Sequence, residues 1–482
     1  MNTGRWCWAS NAVAMMVAAF CVFSASAAPP RSATGAPVRG NQPSADPGSQ
    51  TKAGAETKVA ASDEKAKSSS GWLESQEKTG STAESERAVE LALQWLAEHQ
   101  YPNGSWSFDH RASRCNGRCS APGNMPEAVN AATGVGLLPF ISHGNTHHAG
   151  PYSANVAAGL RFLIGRMGTD GSLREHGGRM YSHALATLAF CEDVRIFRET
   201  PHEASIVSSG ETQPTSAEPQ RVDAKARSPK ASPTNVMSRE EQEQWRQVGE
   251  KLVANAAAKT ILYSFAIQDP RFGGWRYDTT PDSDISVTGW QTMATYSASR
   301  IDIPPPTLVV FNISRFLNAV QEDYGASYGY RVTEKATSPT RTAIGLLCRI
   351  YTGWQSTEPA LLRGAQLLAK TGPSEQDMYY NYYATLVLHH LGGSEWEKWN
   401  TKMREYLIRT QDKSGHQVGS WSFHGSQSSR HGGRHLDTCL ACLILEVYYR
   451  SRSMFSPGHT EHSLGENVNK KAAPPAANPS GD

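Results

Sequence analysis

The feature that most limits what this chain can fold into is a short pattern that recurs six times. In the first copy, ELALQWLAEHQYPNGSW, an apolar helical stripe (Leu91, Trp95, Leu96) runs into Gln100, then a Pro102-Asn103-Gly104 stop signal, then Trp106. TILYSFAIQDPRFGGW repeats it with Gln268 and Trp275, ISRFLNAVQEDYGASYGY with Gln321 and Tyr328, and MREYLIRTQDKSGHQVGSW with Gln411 and Trp421. AAGLRFLIGRMGTDGSL keeps the shape with Met167 and Leu173 in the Gln and Trp places, and RGAQLLAKTGP lacks both. Each copy is followed by a helix apolar nearly all round, such as DISVTGWQTMATYSA or HLDTCLACLILEVYYR. A helix patterned on one face, alternating with one that is apolar on every face, predicts two walls, the second covered by the first. The expected fold is all-α, a single (α/α)6 toroid of six helix pairs.

Outside the repeats the chain changes character. Residues 1–27 carry Arg5, an apolar run over 12–23 and an Ala25-Ser26-Ala27 cleavage signal, which predicts export to a periplasmic or extracellular compartment with cleavage near Ala27. A retained anchor is the competing reading, but the run is shorter than the ~20 apolar residues a span requires. Residues 28–83, 206–238 and 455–482 are rich in Pro, Ser, Gly and charge, offer little to bury, and read as a disordered linker, insertion and tail. That leaves 84–205 for helix pairs 1 and 2 and 239–454 for pairs 3 to 6. A net charge of +2 with dispersed Lys and Arg gives no basic patch for nucleic acid.

Of eight cysteines, Cys7 and Cys21 lie in the export signal. Cys115 and Cys119 flank Asn-Gly-Arg in a polar loop and are spaced to close a local disulfide in an oxidising compartment. The other four sit in apolar helical patterns and read as unpaired core thiols.

Ala92, Trp95, Leu96, Gln100, Gly104 and Trp106 match, position by position, the QW motif of terpene cyclases. The folded region as a whole resembles the squalene-hopene cyclase and protein prenyltransferase repeat superfamily. Stretches such as HGNTHHAGPY, DISVTGWQ and GLLCRIYTGW are similar to exported squalene-cyclase-like proteins of planctomycete-type bacteria. The resemblance implies that Gln100, Trp106, Gln268, Trp275, Gln321, Gln411 and Trp421 lock turns to neighbouring helices, a role an amide that both donates and accepts can fill.

Shared up-down connectivity brings the starts of the six apolar helices to one mouth. Tyr181, His183, Trp290, Arg341, Tyr379, Tyr380, Tyr382, His435 and Asp437 are the expected ligand-lining residues there, and a hydrophobic or polymeric ligand, or a protein, is the expected partner. Peripheral membrane contact is compatible with the same reading.

Within TTPDSDISVTGW, Asp282 and Asp284 resemble the first two acids of the Asp-x-Asp-Asp of hopene-type cyclases, but Ile285 replaces the last. The resemblance implies Asp284 as general acid, assisted by Asp282, in an isoprenoid-cyclising isomerase. The competing reading makes Asp284 an N-cap, since a carboxylate at a helix start favours ionisation. Those cyclases also use two helical barrels, and one ring is expected here.

Asp437-Thr438-Cys439 resembles the Asp-x-Cys of zinc prenyltransferases, yet Asp437 and Cys439 lack the third ligand that an open zinc site needs. The His-rich loops HGNTHHAG and FHGSQSSRHGGRHLD show no spacing that would orient metal ligands. No cofactor is therefore expected, zinc included. A glycan-active toroid using two carboxylates is a lesser alternative.

Overall fold

The computed structural model describes residues 81–199, 237–279 and 281–447. The export signal, the tail, nearly all of the linker and all but the last two residues of the insertion lie outside the described residues. Everything described belongs to one compact unit, residues 63–482.

The described residues are predominantly helical and contain twelve α-helices. They are α1 Ala83–Glu98, α2 Val129–Ser142, α3 Ser153–Arg166, α4 Arg179–Glu199, α5 Arg239–Ala266 and α6 Ile285–Ser299. These continue with α7 Thr307–Val320, α8 Pro339–Tyr351, α9 Pro359–Thr371, α10 Met378–Leu391, α11 Gly393–Thr410 and α12 Gln427–Glu446, the last broken at Gly433. A single antiparallel pair, β1 Gln321–Glu322 with β2 Ser327–Tyr328, accompanies them. No described helix is long and apolar enough to cross a membrane.

Local chemistry sets the helix starts. Thr82 and Ser85 form a capping box on α1, and Ser238 with Glu241 form another on α5. The described residues thus start at Ser81 and Met237, three and two residues ahead of the limits drawn from composition, because capping residues look like linker until the helix they start is in view. Ser338 caps α8 with Pro339 at the first turn, and Asp377 caps α10.

The even-numbered helices are the buried ones. Every residue of α2 from Asn130 to Ile141 is buried, and α4, α6, α8, α10 and α12 are close to that. They contact one another in chain order, α2 on α4, α4 on α6, α6 on α8, α8 on α10, α10 on α12, and α12 contacts α2 in turn. Each odd-numbered helix packs across two of them, as α3 does on α2 and α4, and α1 does on α12 and α2. The odd helices show one wet face, and on α7 that face carries Leu308 and Phe311, 66% and 61% exposed.

One set of bonds recurs along the chain. Gln100 Nε2 donates to Gly104 O and to Asn155 O on α3, both at 2.9 Å. Gln268 does the same with Gly273 O and Val309 O on α7, and Gln411 with Gly419 O and Ala88 O on α1. The indole N–H of Trp106 donates to Leu96 O, that of Trp275 to Ser264 O and that of Trp421 to Leu407 O, closing the last turn of each preceding helix. Gly104, Gly273 and Gly419 each have positive φ, and a Cβ on any of them would lie 2.2–2.3 Å from a carbonyl oxygen of the next odd helix. Only glycine fits that approach.

Gln321 departs from the pattern. Its Oε1 accepts from Arg349, whose guanidinium also donates to Tyr328 Oη and Asn318. The β1–β2 pair occupies the place of the glycine turn, so the amide serves a buried arginine instead of a neighbouring helix.

Candidate functional site

The backbone N–H of the residue in the Trp106 position needs an acceptor, and the next buried helix supplies it. Trp106 donates to Thr133 Oγ1, Trp275 to Thr288 Oγ1, Tyr328 to Thr342 Oγ1 and Trp421 to Thr438 Oγ1. In the copy with Leu173 the acceptor is His183 Nδ1, and in the degenerate copy Ser374 donates to Asn381 Oδ1. His183, expected among the ligand-lining residues, is thus a buried structural acceptor instead. Its Nε2 faces Thr260 O and Ser264 Oγ, it is fully buried, and burial pushes its pKa down to about 4.

Three further expected lining residues are turned to structural work. His435 sets Nε2 against Ala132 O on α2 and is fully buried. Asp437 accepts Phe423 N–H on one oxygen and Ser429 Oγ–H on the other, holding the segment that leads into α12, and burial pushes its carboxyl up to about 7. Tyr380 points toward the odd-helix wall, its hydroxyl on Gly372 O at 3.2 Å and its ring edge-on to Trp399. Cys439 Sγ lies 3.9 Å from His435 Nε2, and with both Asp437 oxygens occupied these residues gather no metal ligand set.

Trp290 and Tyr382 are core. Trp290 stacks on Tyr382 with centroids 5.8 Å apart and meets Tyr383 edge-on, all three nearly inaccessible. Its indole N–H donates to Tyr379 Oη at 2.8 Å, which fixes the half-buried Tyr379 above the stack.

Several residues near those expected at the mouth gather around Tyr379. Tyr181 is held there with its phenol raised by burial and by the nearby Tyr379, Asp284, Tyr277 and Tyr330. Tyr277 and Tyr330 share a hydroxyl–hydroxyl bond of 3.0 Å, and the Arg341 guanidinium lies over the Tyr330 ring while bonded to Glu334. Asp282 is gripped by Arg276 and lies 3.6 Å from Arg331. Tyr277, Tyr330, Arg276 and Arg331 sit on connecting segments and not at helix starts, so helix periodicity gives no signal for them.

Asp284 has two faces. Its Oδ1 accepts the Ser286 and Val287 N–H groups, the N-cap role expected of it. Its Oδ2 is buried without a hydrogen-bond partner, 3.9 Å from Arg276 Nε. Burial pushes the carboxyl up to about 6, against the two backbone bonds and Arg276. A carboxyl of that kind is divided between neutral and ionised forms near neutral pH.

Two histidines of the HGNTHHAG loop face carboxylates. His147 is buried with Nδ1 on Asp193 Oδ2 at 2.5 Å, and His143 Nδ1 lies 3.1 Å from Glu446. The disulfide reading of Cys115 and Cys119 is also corrected. Both are free thiols, and they converge with His99 and His416 so that one ligand atom from each lies within 4.8 Å of the others. His416 follows α11, far from the cysteines in sequence, which is why spacing alone read the pair as a local bridge.

No protein-family model and no curated protein matches the chain.

Proposed function

We propose that the twelve helices form a closed (α/α)6 toroid of the terpene-cyclase and prenyltransferase repeat superfamily, exported, with a ligand-binding mouth at the starts of its inner helices. The return of α12 to α2 supports closure, and the recurrent Gln and Trp bonds support the repeat. The mouth offers half-buried tyrosine rings rimmed by fixed charge and hydroxyl groups. Such a surface suits a polymeric ligand with flat apolar faces and hydroxyls, a glycan before a bare hydrocarbon. The observation that carries this is the Tyr277–Tyr330 hydroxyl pair beside the Asp282–Arg276 pair, next to Tyr181 and Tyr379.

A second reading has one observation in its favour. The buried Oδ2 of Asp284, which has no hydrogen-bond partner, is where an acid for isoprenoid cyclisation would stand. Against it, Asp282 is committed to Arg276 and leaves Asp284 without a carboxyl partner, and the rings of Trp290, Tyr382 and Tyr383 occupy one another's surfaces.

Intrinsic fluorescence tests both, since Trp290 is bonded to Tyr379 at the mouth. Titration of the full chain with soluble polysaccharides is expected to shift the emission, and Tyr181→Ala is expected to abolish the shift. A response to polyprenyl-loaded micelles alone, lost in Asp284→Asn, would favour the cyclase reading, and silence with both probes would refute a binding mouth of either kind.

A further inference from the structure

Among the described residues, His99, Cys115, Cys119 and His416 form the one group of three or more His, Cys, Asp or Glu side chains whose ligand atoms converge. All but His416 are buried. A tetrahedral zinc with thiolate bonds of about 2.3 Å and imidazole bonds of about 2.0–2.1 Å places sulfur and nitrogen about 3.5 Å apart. Cys119 Sγ lies 3.5 Å from His99 Nε2 and 3.1 Å from His416 Nδ1.

The surroundings are those of a ligand set and not of four unrelated side chains. His99 Nδ1 is 2.6 Å from Trp95 O, which fixes the tautomer with Nε2 free to coordinate. Asn116 and Gly117 adopt positive φ, and the resulting turn aims the Cys119 N–H at Cys115 Sγ, 3.1 Å away. The two cysteines are separated by three residues, within the range used by structural zinc sites. Two thiolates and two neutral imidazoles also cancel the charge of the ion, so the complex can sit in a buried place without a residual charge.

We propose that these four residues bind a structural Zn(II) ion that fastens the start of the folded chain to its end. Two thiol protons are released on binding, and four protein ligands leave no open position for substrate. The site lies on a seam. His99 ends α1, the cysteines belong to the loop before α2, and His416 follows α11. Nearby, Gln417 accepts from Ser120, and Arg434 donates to Ser120 O. The inference is independent of what the mouth binds.

The test is metal analysis of the full chain purified under reducing conditions without chelator. About one zinc per chain is expected, with tetrahedral thiolate absorption when Co(II) replaces it. His416→Ala is expected to weaken zinc binding by at least the 10–100-fold that loss of an outer-shell partner costs, while His416→Cys retains the metal. Chelation is expected to lower the Tm of the wild-type chain without aggregation-prone variants being needed. Protein from zinc-supplemented medium that holds no metal, or protein isolated without added reductant whose mass and peptide map show a Cys115–Cys119 disulfide, would overturn the proposal.

Discussion

The side-chain amide of Gln411 donates to Ala88 O at 2.7 Å, joining residues 323 apart in sequence. The same nitrogen donates to Gly419 O, so one side chain fixes the turn after α11 and docks it on α1. Gln411→Ala removes both bonds inside a buried site and is expected to destabilise the fold by about 1–3 kcal/mol. Chemical denaturation of the two proteins measures the difference. Gln321→Ala acts elsewhere, on Arg349, and is expected to leave the α1–α11 junction intact.

The turn glycines give a contrast within one chain. Gly419 has φ +89° and a Cβ there would meet Leu91 O at 2.3 Å, so Gly419→Ala combines left-handed strain with a backbone clash. Loss of at least about 2 kcal/mol is expected. Gly165 lies in α3 with negative φ and nothing within 4 Å of its added Cβ. Gly165→Ala is expected to stabilise by about 0.5 kcal/mol, as it replaces a poor helix former in open space. Thermal unfolding of both variants distinguishes a conformational need from mere presence of glycine.

These two cases show what the sequence carries. Gln100, Gln268 and Gln411 were legible because a helix end, a glycine turn and an aromatic lie within a few residues of one another. Their partners were harder to see: Thr133 lies 27 residues beyond Trp106, and His183 fills the same role with a different side chain. The N-cap at Asp284 was legible from its place before an apolar helix, whereas its buried second oxygen depends on residues brought in by other elements. The Cys–His group was not legible, since Cys119 and His416 are 297 residues apart and only a long-range tertiary contact unites them.

Buried neutral histidines set the behaviour in acid. Burial depresses His183 and His435 to about 4 in the folded state, below the ordinary 6.5. The folded chain therefore binds fewer protons than the unfolded one between those values, so stability present above pH 6.5 is lost as pH falls toward 4. His435→Gln is expected to flatten that part of the profile, relative to wild type, while losing some stability at pH 7 through the changed contact with Ala132. Tm measured across pH 4–7.5 checks the change in slope.

Asp284 titrates with the opposite sign. Its folded pKa of about 6 lies above the ordinary 3.8, with burial as the main cause. Here the folded chain binds more protons, so its contribution is fully present below pH 3.8 and is lost as pH rises through 6. The difference corresponds to about 3 kcal/mol, an order-of-magnitude figure, spent on keeping an ionised carboxyl in the fold at pH 8. Asn keeps an oxygen for the Ser286 and Val287 N–H groups and carries no charge, so Asp284→Asn is expected to match wild type near pH 4 and to exceed it in stability near pH 8. Such a gain would mark a carboxylate retained at a cost to folding, the pattern expected of a group kept for what it does at the mouth. If Asp284→Asn instead loses stability across the whole range, the carboxyl serves as a cap and the Arg276 charge beside it outweighs burial.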